Sequence, residues 1–365
     1  MKIVDQVPEY IRSLIPYEPG KPIEEVEREY GIANSVKLAS NENPLGPSPK
    51  AVAALRAKLD QLHLYPDGDC FYLKKYLANK LAVSPEQMIF GNGSNEIIEL
   101  AARTFMRVGD EAVMAEQAFV VYQLIVQAVG GQCKQVPLRD YTHDLGAIAD
   151  AVTANTRIVF LANPNNPTGT IFHRDAWEKF LARISNDVLL IVDEAYFEYV
   201  RDTDYPDSLR YHQVGRAILT LRTFSKLYGL AGLRIGYGVA PKELVALMQR
   251  VRQPFNVNAP AQWAALAALD DTDHVRKSLE VNRQGLEYLQ TEFDKLKLKY
   301  VPSQGNFILV HVGKGQEVFK QLLTQGVIVR PMGGYKFPAH VRVTVGTMEE
   351  NRKFIEALQK VVKKF

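Results

Sequence analysis

The sequence predicts an α/β protein in which a mostly parallel, doubly wound sheet is followed by a smaller α+β domain. Between residues 87 and 240, seven short apolar runs alternate with amphipathic segments of helical periodicity. After about residue 255 the pattern changes to long helices followed by shorter strands. We therefore expect an N-terminal arm and connector over residues 1–40, a large domain over 41–255 and a small domain over 256–365. A chain of 365 residues is long enough for both domains.

The seven apolar runs have the lengths of buried strands, and the amphipathic segments between them suit crossover helices on both faces of the sheet. The seventh run follows the sixth too closely for a helical crossover, which makes it a candidate antiparallel strand. In order, the predicted strands cover residues 87–91, 111–116, 133–138, 157–163, 188–194, 217–222 and 233–240.

The predicted small domain begins with two long helices, at about residues 258–270 and 273–297. Three shorter strands and a closing helix follow. These strands are expected at residues 306–312, 327–331 and 340–346.

Composition excludes several classes of function. The net charge of +3 gives no indication of nucleic-acid binding. With only Cys70 and Cys133, neither a disulfide framework nor a four-cysteine zinc site can form, and no metal is expected. Asp5, Pro8 and Glu9 stand where a signal peptide needs an apolar block, and no apolar segment approaches the roughly 20 residues of a membrane span. We therefore expect a cytoplasmic protein that does not enter a membrane.

Polar, glycine-rich or charged clusters follow four of the predicted strands. In an open parallel sheet, ligands bind beyond the carboxyl ends of the strands, so the fold is expected to bring these clusters together. They are GNGSNE (91–96), NPNNPTG (163–169), DEAY (193–196) and TFSK (223–226).

The first cluster predicts an anion site. GNGSNE opens a helix, whose unpaired N–H groups and dipole attract negative charge, although a tight turn with a helix cap is the simpler interpretation. Thr223, Ser225 and Arg234 add hydroxyl donors and a guanidinium suited to phosphate. The spacing of a dinucleotide fingerprint and the P-loop motif are both missing. The expected ligand therefore carries a phosphate without being a nucleotide.

The other clusters supply groups for an aromatic ring. Asp193 follows an apolar run, where a carboxylate is costly unless it meets a cation or donors. A structural cap is one interpretation of this carboxylate. If a ring nitrogen lies beside it, the carboxylate would keep that nitrogen protonated. Tyr196 and Asn166 could share one ring oxygen. Lys226 lies at a strand end near cations, which favours its neutral amine. Together these groups describe a site for pyridoxal phosphate, with Lys226 as the amine that bonds it.

Seven motifs, in this order and over nearly the whole chain, resemble the fold-type I pyridoxal-phosphate-dependent aminotransferases, and specifically the histidinol-phosphate aminotransferases. The motifs are LASNENPLGPSP, YPDG, GNGSNEIIEL, NPNNPTG, DEAY, TFSKLYGLAGLRIGYG and VRVTVGT. The resemblance implies ping-pong transfer of an amino group between L-histidinol phosphate and 2-oxoglutarate, giving imidazole-acetol phosphate and L-glutamate in histidine biosynthesis.

The resemblance also assigns roles at the cofactor. Lys226 is implied to form the Schiff base, Asp193 to pair with the pyridine nitrogen, and Tyr196 and Asn166 to contact the ring oxygen. Phe119 is implied to stack on the ring, although the segment EQAF (116–119) replaces the family's usual PPTY and a core aromatic is the alternative. The implied phosphate cradle comprises Gly93, Ser94, Asn95, Thr223, Ser225 and Arg234.

For the substrate, Arg342 is implied to grip an anionic group. Arg330 and Tyr17 are further candidates for the phosphate of histidinol phosphate, and Asn43 is a candidate substrate contact. An ordinary surface aromatic is the alternative for Tyr17. The resemblance places Tyr65 on the cofactor phosphate of a neighbouring subunit, which implies a homodimer.

Three other functions stay open at this point. An aromatic-amino-acid aminotransferase would suit the segment EQAF, and a phosphothreonine decarboxylase shares the same resemblance. A non-catalytic regulator on this fold would need a binding module beyond the two expected domains, and the presence of Lys226 argues against it.

Overall fold

The computed structural model describes residues 2–17 and 20–362, without the side chains of residues 213 and 214. Within these residues the strands are β1 (Val36–Lys37), β2 (Met88–Gly91), β3 (Glu111–Ala115), β4 (Gln132–Val136), β5 (Thr156–Ala162), β6 (Leu189–Asp193), β7 (Ile218–Thr223), β8 (Gly236–Val239), β9 (Tyr300–Val301), β10 (Phe307–His311), β11 (Val327–Ile328), β12 (Arg330–Pro331) and β13 (His340–Thr344).

The α-helices of the same part of the chain are α1 (Glu9–Arg12), α2 (Ile23–Tyr30), α3 (Pro49–Arg56), α4 (Phe71–Leu81), α5 (Ser94–Phe105), α6 (Val121–Ala128), α7 (Leu145–Ala151), α8 (Arg174–Arg183), α9 (Lys242–Gln249), α10 (Ala259–Leu269), α11 (Thr272–Lys295), α12 (Gly315–Leu323) and α13 (Met348–Val362).

The large sheet confirms the predicted architecture. Among the described residues it has seven strands in the order β2-β8-β7-β6-β5-β3-β4. Strands β3 to β7 are mutually parallel, and β8 is antiparallel to both β7 and β2, as expected for the seventh run. That run was predicted to start at residue 233, whereas β8 starts at Gly236. The preceding residues form a 3₁₀ turn that ends at Arg234 in the left-handed region, with φ of 57°.

Helices cover both faces of this sheet, because strands such as β3, β6 and β7 are buried at every position. Ile158 and Phe160 of β5 pack with α5, α6 and α9 on one face. Val159 and Leu161, the alternating residues of the same strand, pack with α7 and α8 on the other face. The carboxyl ends of the strands are left uncovered by these layers, and this is the edge where the polar clusters lie.

A buried ion cluster joins the ends of two of these strands. Arg222 of β7 donates hydrogen bonds to Glu194 Oε2, at 2.8 and 3.0 Å, and to Asp207 Oδ1, at 2.9 Å. Glu194 is fully buried and Arg222 is 4% exposed, so each charge depends on its partner. The pair fixes the end of β6 against the end of β7, immediately beside Asp193 and Thr223.

The small domain is built on an antiparallel sheet in the order β12-β13-β10-β9. Helices α11, α12 and α13 pack on it around Phe293, Leu322 and Phe354. The predicted strand 327–331 is two short strands, β11 and β12, and β9 was not predicted. Within residues 1–40, the expected arm and connector, strand β1 pairs in parallel with β11 of the small domain.

The expected division at residue 255 stays a prediction. Ala261 and Ala265 of α10 lie in one buried cluster with Leu73 and Leu77 of α4. This packing supports a boundary after α10, because that helix shares a core with the large domain. In the part of the chain that the structure describes, no helix is both long and apolar enough to cross a membrane.

Candidate active site

A cavity of about 510 Å³ lies at the carboxyl ends of β5, β6 and β7. All four sequence clusters contribute to its wall, together with the N-terminal arm and the small domain. The predicted site residues that line it are Tyr17, Gly93, Ser94, Asn95, Phe119, Asn166, Asp193, Tyr196, Thr223, Ser225, Lys226, Arg234, Arg330 and Arg342.

Lys226 lies on the turn directly after β7, inside this cavity. Its Nζ donates a hydrogen bond to the carbonyl oxygen of Ser40, at 3.3 Å, and lies 5.6 Å from the ring centre of Tyr196. Burial and the positive charge of Arg342 lower the pKa of Lys226 to about 8, although Glu42 and Asp193 act in the opposite direction. At pH 7 roughly a tenth of this lysine is then a neutral amine, and thus a nucleophile and a base, whereas an ordinary lysine is almost fully charged.

Asp193 ends β6 and is 6% exposed. Burial raises its pKa, while hydrogen bonds from Tyr122 and from the backbone of Ala195 oppose that shift by stabilising the carboxylate. The Tyr122 hydroxyl donates to Asp193 Oδ2 at 2.7 Å, and the Ala195 N–H donates to Oδ1 at 3.1 Å. Two donors thus hold a buried carboxylate at the cavity wall, where it can pair with a protonated ring nitrogen.

Tyr122 was not predicted as a site residue. It lies three residues after Phe119, and its ring meets that of Phe119 edge to face, with centroids 5.7 Å apart. It also stacks on Phe160, at 4.8 Å, so its hydroxyl is held toward Asp193. Spacing of about one helical turn from Phe119 was the signal that could have identified it.

The start of α5 forms an anion cradle. Its N-cap is Gly93, with φ of 77°, so the first N–H groups have no side chain above them. A Cβ atom at Gly93 would lie 2.5 Å from Arg234 Nη2 and would displace that end of the guanidinium, and the positive φ also favours glycine there. Thr223 and Ser225 complete the cavity wall around this turn. The cradle therefore fits a phosphate group.

Arg342 of β13 enters the cavity from the small domain and is 6% exposed. It donates through Nη1 to Asn166 Oδ1 and through Nη2 to the carbonyl oxygen of Ala39, at 2.7 Å. Its Nε has no hydrogen-bond partner among the described residues. Because Asn166 accepts through its oxygen, its amide nitrogen is available to donate to a ring oxygen.

Arg330 and Tyr17 lie together at the cavity, with the guanidinium carbon 5.6 Å from the tyrosine ring centre. Tyr17 is 49% exposed. Tyr335 also lines the cavity but was not predicted, and burial raises its pKa. The glycine-rich GGY that follows β12 was the signal for it, since the other site clusters also follow strands.

Two predicted residues, Tyr65 and Asn43, are not among the described residues that line the cavity. Asn43 is buried, and its amide nitrogen donates to the carbonyl oxygen of Leu227 and to Ser278 Oγ, at 2.7 and 2.8 Å. These bonds hold Asn43 in the packing behind the cavity wall, and the expected substrate contact stays a prediction. Tyr65 is 83% exposed and stacks on Phe255, with centroids 4.9 Å apart. Its ring does not serve the cavity of its own chain.

The donor set of the cavity fits pyridoxal phosphate: an anion cradle, a buried carboxylate, ring-oxygen donors and a lysine of lowered pKa. Among the described residues, no group of three or more His, Cys, Asp or Glu side chains could hold a metal ion.

Comparison with known proteins matches residues 33–358 to the family model of aminotransferase class I and II. The chain is 52% identical to a histidinol-phosphate aminotransferase of Moorella thermoacetica, over 97% of this chain and 92% of the relative. It is 49% identical to histidinol-phosphate aminotransferase 1 of Nitrosococcus oceani, over 97% and 96%. The crystal structure of histidinol-phosphate aminotransferase from Sinorhizobium meliloti in complex with pyridoxal-5′-phosphate superposes with a TM-score of 0.91, at 26% identity and 98% coverage of both chains.

The pKa of Lys226 predicts how its reactivity depends on pH. In the cofactor-free chain, acylation of Lys226 by a limiting amine-selective reagent should be half-maximal near pH 8 and not near 10.5, because the neutral amine reacts. Arg342→Gln should move this midpoint upward, since removal of a nearby positive charge favours the ammonium. Peptide mass spectrometry over a pH series measures both. An unshifted midpoint near 10.5 would contradict the account of the cavity.

Proposed function

The chain belongs to the class I and II aminotransferase family, and we propose that it transfers an amino group between L-histidinol phosphate and 2-oxoglutarate. The products are imidazole-acetol phosphate and L-glutamate, in histidine biosynthesis, and the cofactor is pyridoxal 5′-phosphate. The substrate assignment rests on sequence identity. The chain is 52% identical, over 97% of its length, to a relative named as a histidinol-phosphate aminotransferase. The lysine, carboxylate and anion cradle of one cavity support the chemistry.

When bound, pyridoxal phosphate supplies an electron sink that stabilises negative charge on the substrate carbon. Asp193 holds a proton on the ring nitrogen, because its carboxylate favours the charged pyridinium. The hydrogen bonds from Tyr122 and from the Ala195 N–H favour the ionised form of Asp193 against the effect of burial. Tyr196 and Asn166 donate to the ring oxygen, and the N-terminus of α5 with Arg234 binds the phosphate.

Lys226 is the amine that would hold the cofactor covalently and, once displaced by the substrate amine, would be free to act as a base. Its Nζ would then take the proton from the amino-bearing carbon of the substrate and release it again within the cavity. A pKa of about 8 suits both steps, because a useful fraction of the side chain is neutral while the ammonium remains accessible. The second substrate reverses these steps, which gives ping-pong kinetics.

Histidinol phosphate has no α-carboxylate, so its phosphate is the group that can bind arginine. Arg342 and Arg330 both line the cavity, and we propose that they share this phosphate with the Tyr17 hydroxyl. Guanidinium groups bind phosphate oxygens in pairs of parallel hydrogen bonds, which also orients the substrate.

A panel of amino donors tests the proposed function. With 2-oxoglutarate as acceptor, histidinol phosphate should give a kcat/KM well above those of phenylalanine, tyrosine and phosphothreonine. Higher values for phenylalanine or tyrosine would assign an aromatic-amino-acid aminotransferase. Release of carbon dioxide from phosphothreonine, without glutamate formation, would assign a decarboxylase.

Removal of Arg330 should harm the phosphate substrate selectively. Arg330→Ala is expected to lower kcat/KM for histidinol phosphate by about 10- to 100-fold, the range of a lost hydrogen bond to a charged group. The value for phenylalanine should change little. Arg330→Lys keeps the charge without the planar fork and should fall in between. Equal losses of kcat/KM for both substrates would assign Arg330 a structural role and contradict its contact with the substrate phosphate.

We propose that the enzyme is a homodimer in which Tyr65 contacts the cofactor phosphate of the partner subunit. Tyr65 is highly exposed, and Phe255 beneath it is 47% exposed. Further exposed apolar side chains are close in sequence, at Leu62, Leu64 and Tyr72. A patch of this kind marks an interaction surface.

Hybrid dimers test this assignment. A Tyr65→Ala chain paired with a Lys226→Ala chain would hold one doubly damaged site and one intact site if Tyr65 acts across the interface. After co-refolding, activity should rise toward about one quarter of wild type, since half of the dimers are hybrids with one working site. Each mutant refolded alone is the control, and sedimentation confirms hybrid formation. If Tyr65→Ala alone is impaired and hybrids form without any gain, Tyr65 does not act across the interface.

The cytoplasmic location and the absence of a nucleic-acid partner stay predictions. Both cysteines, Cys70 and Cys133, are free, which supports a reducing compartment. A net charge of +3 is small for a chain of this length.

A further inference from the structure

Four consecutive residues, 38–41, accept hydrogen bonds from the active site or the small domain at the point where the connector meets the large domain. Each carbonyl oxygen from residue 38 to residue 41 accepts a hydrogen bond from a group of the cavity or of the small domain. The four bonds are Thr344 N to Leu38, at 2.8 Å, Arg342 Nη2 to Ala39, at 2.7 Å, Lys226 Nζ to Ser40, at 3.3 Å, and Asn306 Nδ2 to Asn41, at 3.0 Å.

Asn41 has a side chain that also reaches the site. It is 1% exposed, and its Nδ2 donates to the Tyr196 hydroxyl oxygen at 2.8 Å. Its backbone has φ of 56°, in the left-handed region that asparagine tolerates better than most residues. The Asn306 amide grips its carbonyl oxygen, so backbone and side chain are both fixed.

Thr344 decides which way the Asn41 amide faces. Its Oγ1 accepts the backbone N–H of Asn41, at 2.9 Å, and lies 3.1 Å from Asn41 Oδ1. With that N–H accepted, the hydroxyl proton of Thr344 is donated to Oδ1. A flipped amide would leave this proton facing an NH₂ group. The acceptor end of Asn41 therefore faces Thr344, and its donor end faces Tyr196.

This series of hydrogen bonds determines the direction of the Tyr196 hydroxyl proton. A phenol oxygen that accepts from Asn41 must direct its own proton elsewhere. Arg342 exerts its positive charge on this phenol but has no lone pair to receive a proton. Both Tyr196 and Asn41 line the cavity, so the proton is left for a ligand there.

We propose that Asn41 is a positioning residue, which with Thr344 turns the Tyr196 hydroxyl proton toward the ring oxygen of the cofactor. The phenol then acts only as a donor at that oxygen and stabilises its negative charge. The inference rests on the cofactor of the proposed function and not on the identity of the substrate. Thr344 lies two residues from Arg342 on β13, so the strand that holds the substrate arginine also orients this donor.

Replacement of Thr344 tests the proposal without a change of charge. Thr344→Val removes the hydroxyl at similar size, and Thr344→Ser keeps it as the matched control. The measurement is the pH at which the absorbance of the bound cofactor changes in the resting enzyme. A donor at the ring oxygen favours the deprotonated cofactor, so Thr344→Val should raise this midpoint by roughly 0.5 to 1 pH unit. Thr344→Ser should titrate as wild type.

Tyr196→Phe separates this role from a general structural effect. It should raise the midpoint at least as much, and Thr344→Val should add nothing in its background, because the oriented proton is already gone. The charged groups that face Lys226, namely Arg342, Glu42, Arg234 and Asp193, are unchanged in all these variants.

Asn41→Asp is the second variant, used whether or not Thr344→Val folds. Its carboxylate would accept the Tyr196 proton, so the substitution removes the donor from the ring oxygen and also adds a negative charge. In the Tyr196→Phe background only the added charge acts, so Asn41→Asp should raise the midpoint less there than it does with Tyr196 present. Equal shifts in both backgrounds, or a wild-type midpoint in Thr344→Val, would overturn the inference while leaving the proposed function intact. A wild-type chain that binds no cofactor would overturn both.

Discussion

The site depends on one constraint: Lys226 has to be removed from water far enough to be neutral, yet remain able to carry a proton. Burial at the end of β7 and the charge of Arg342 lower its pKa to about 8. Full removal from polar contact would be too costly, so the carbonyl oxygen of Ser40 accepts a hydrogen bond from Nζ. The parallel sheet supplies the position, because the ends of β5, β6 and β7 open into one cavity.

The connector is the part of the chain that relates the two domains at this cavity. Strand β1 pairs with β11 of the small domain, and the next residues bond Arg342, Lys226 and Tyr196 in turn. Backbone carbonyl groups suit this task, since they are acceptors fixed by the fold. Arg342 from one domain and Lys226 from the other are thus held against the same short segment.

Much of the fold and of the site could be predicted from the sequence. Apolar runs located the strands within a few residues, and polar clusters at strand ends located the residues around Lys226 and Asp193. Asn41 could not be found in this way, because it acts on Tyr196 from 155 residues away. Tyr122 acts on Asp193 from 71 residues away and was signalled only by its spacing from Phe119. The substrate contact expected of Asn43 stays a prediction, and its motif does not report that its side chain faces Leu227 and Ser278. Sequence pattern identifies which residues follow strands, whereas packing decides what those residues touch.

The attachment site of the cofactor is the most direct test of this account. The enzyme loaded with pyridoxal phosphate would be reduced with borohydride and digested, and the labelled peptide identified by mass spectrometry. The label is predicted on the peptide that contains Lys226, and Lys226→Ala should bind the cofactor without retaining the label. Recovery of the label from another lysine would contradict the account, because the amine that bonds the cofactor would then not be Lys226.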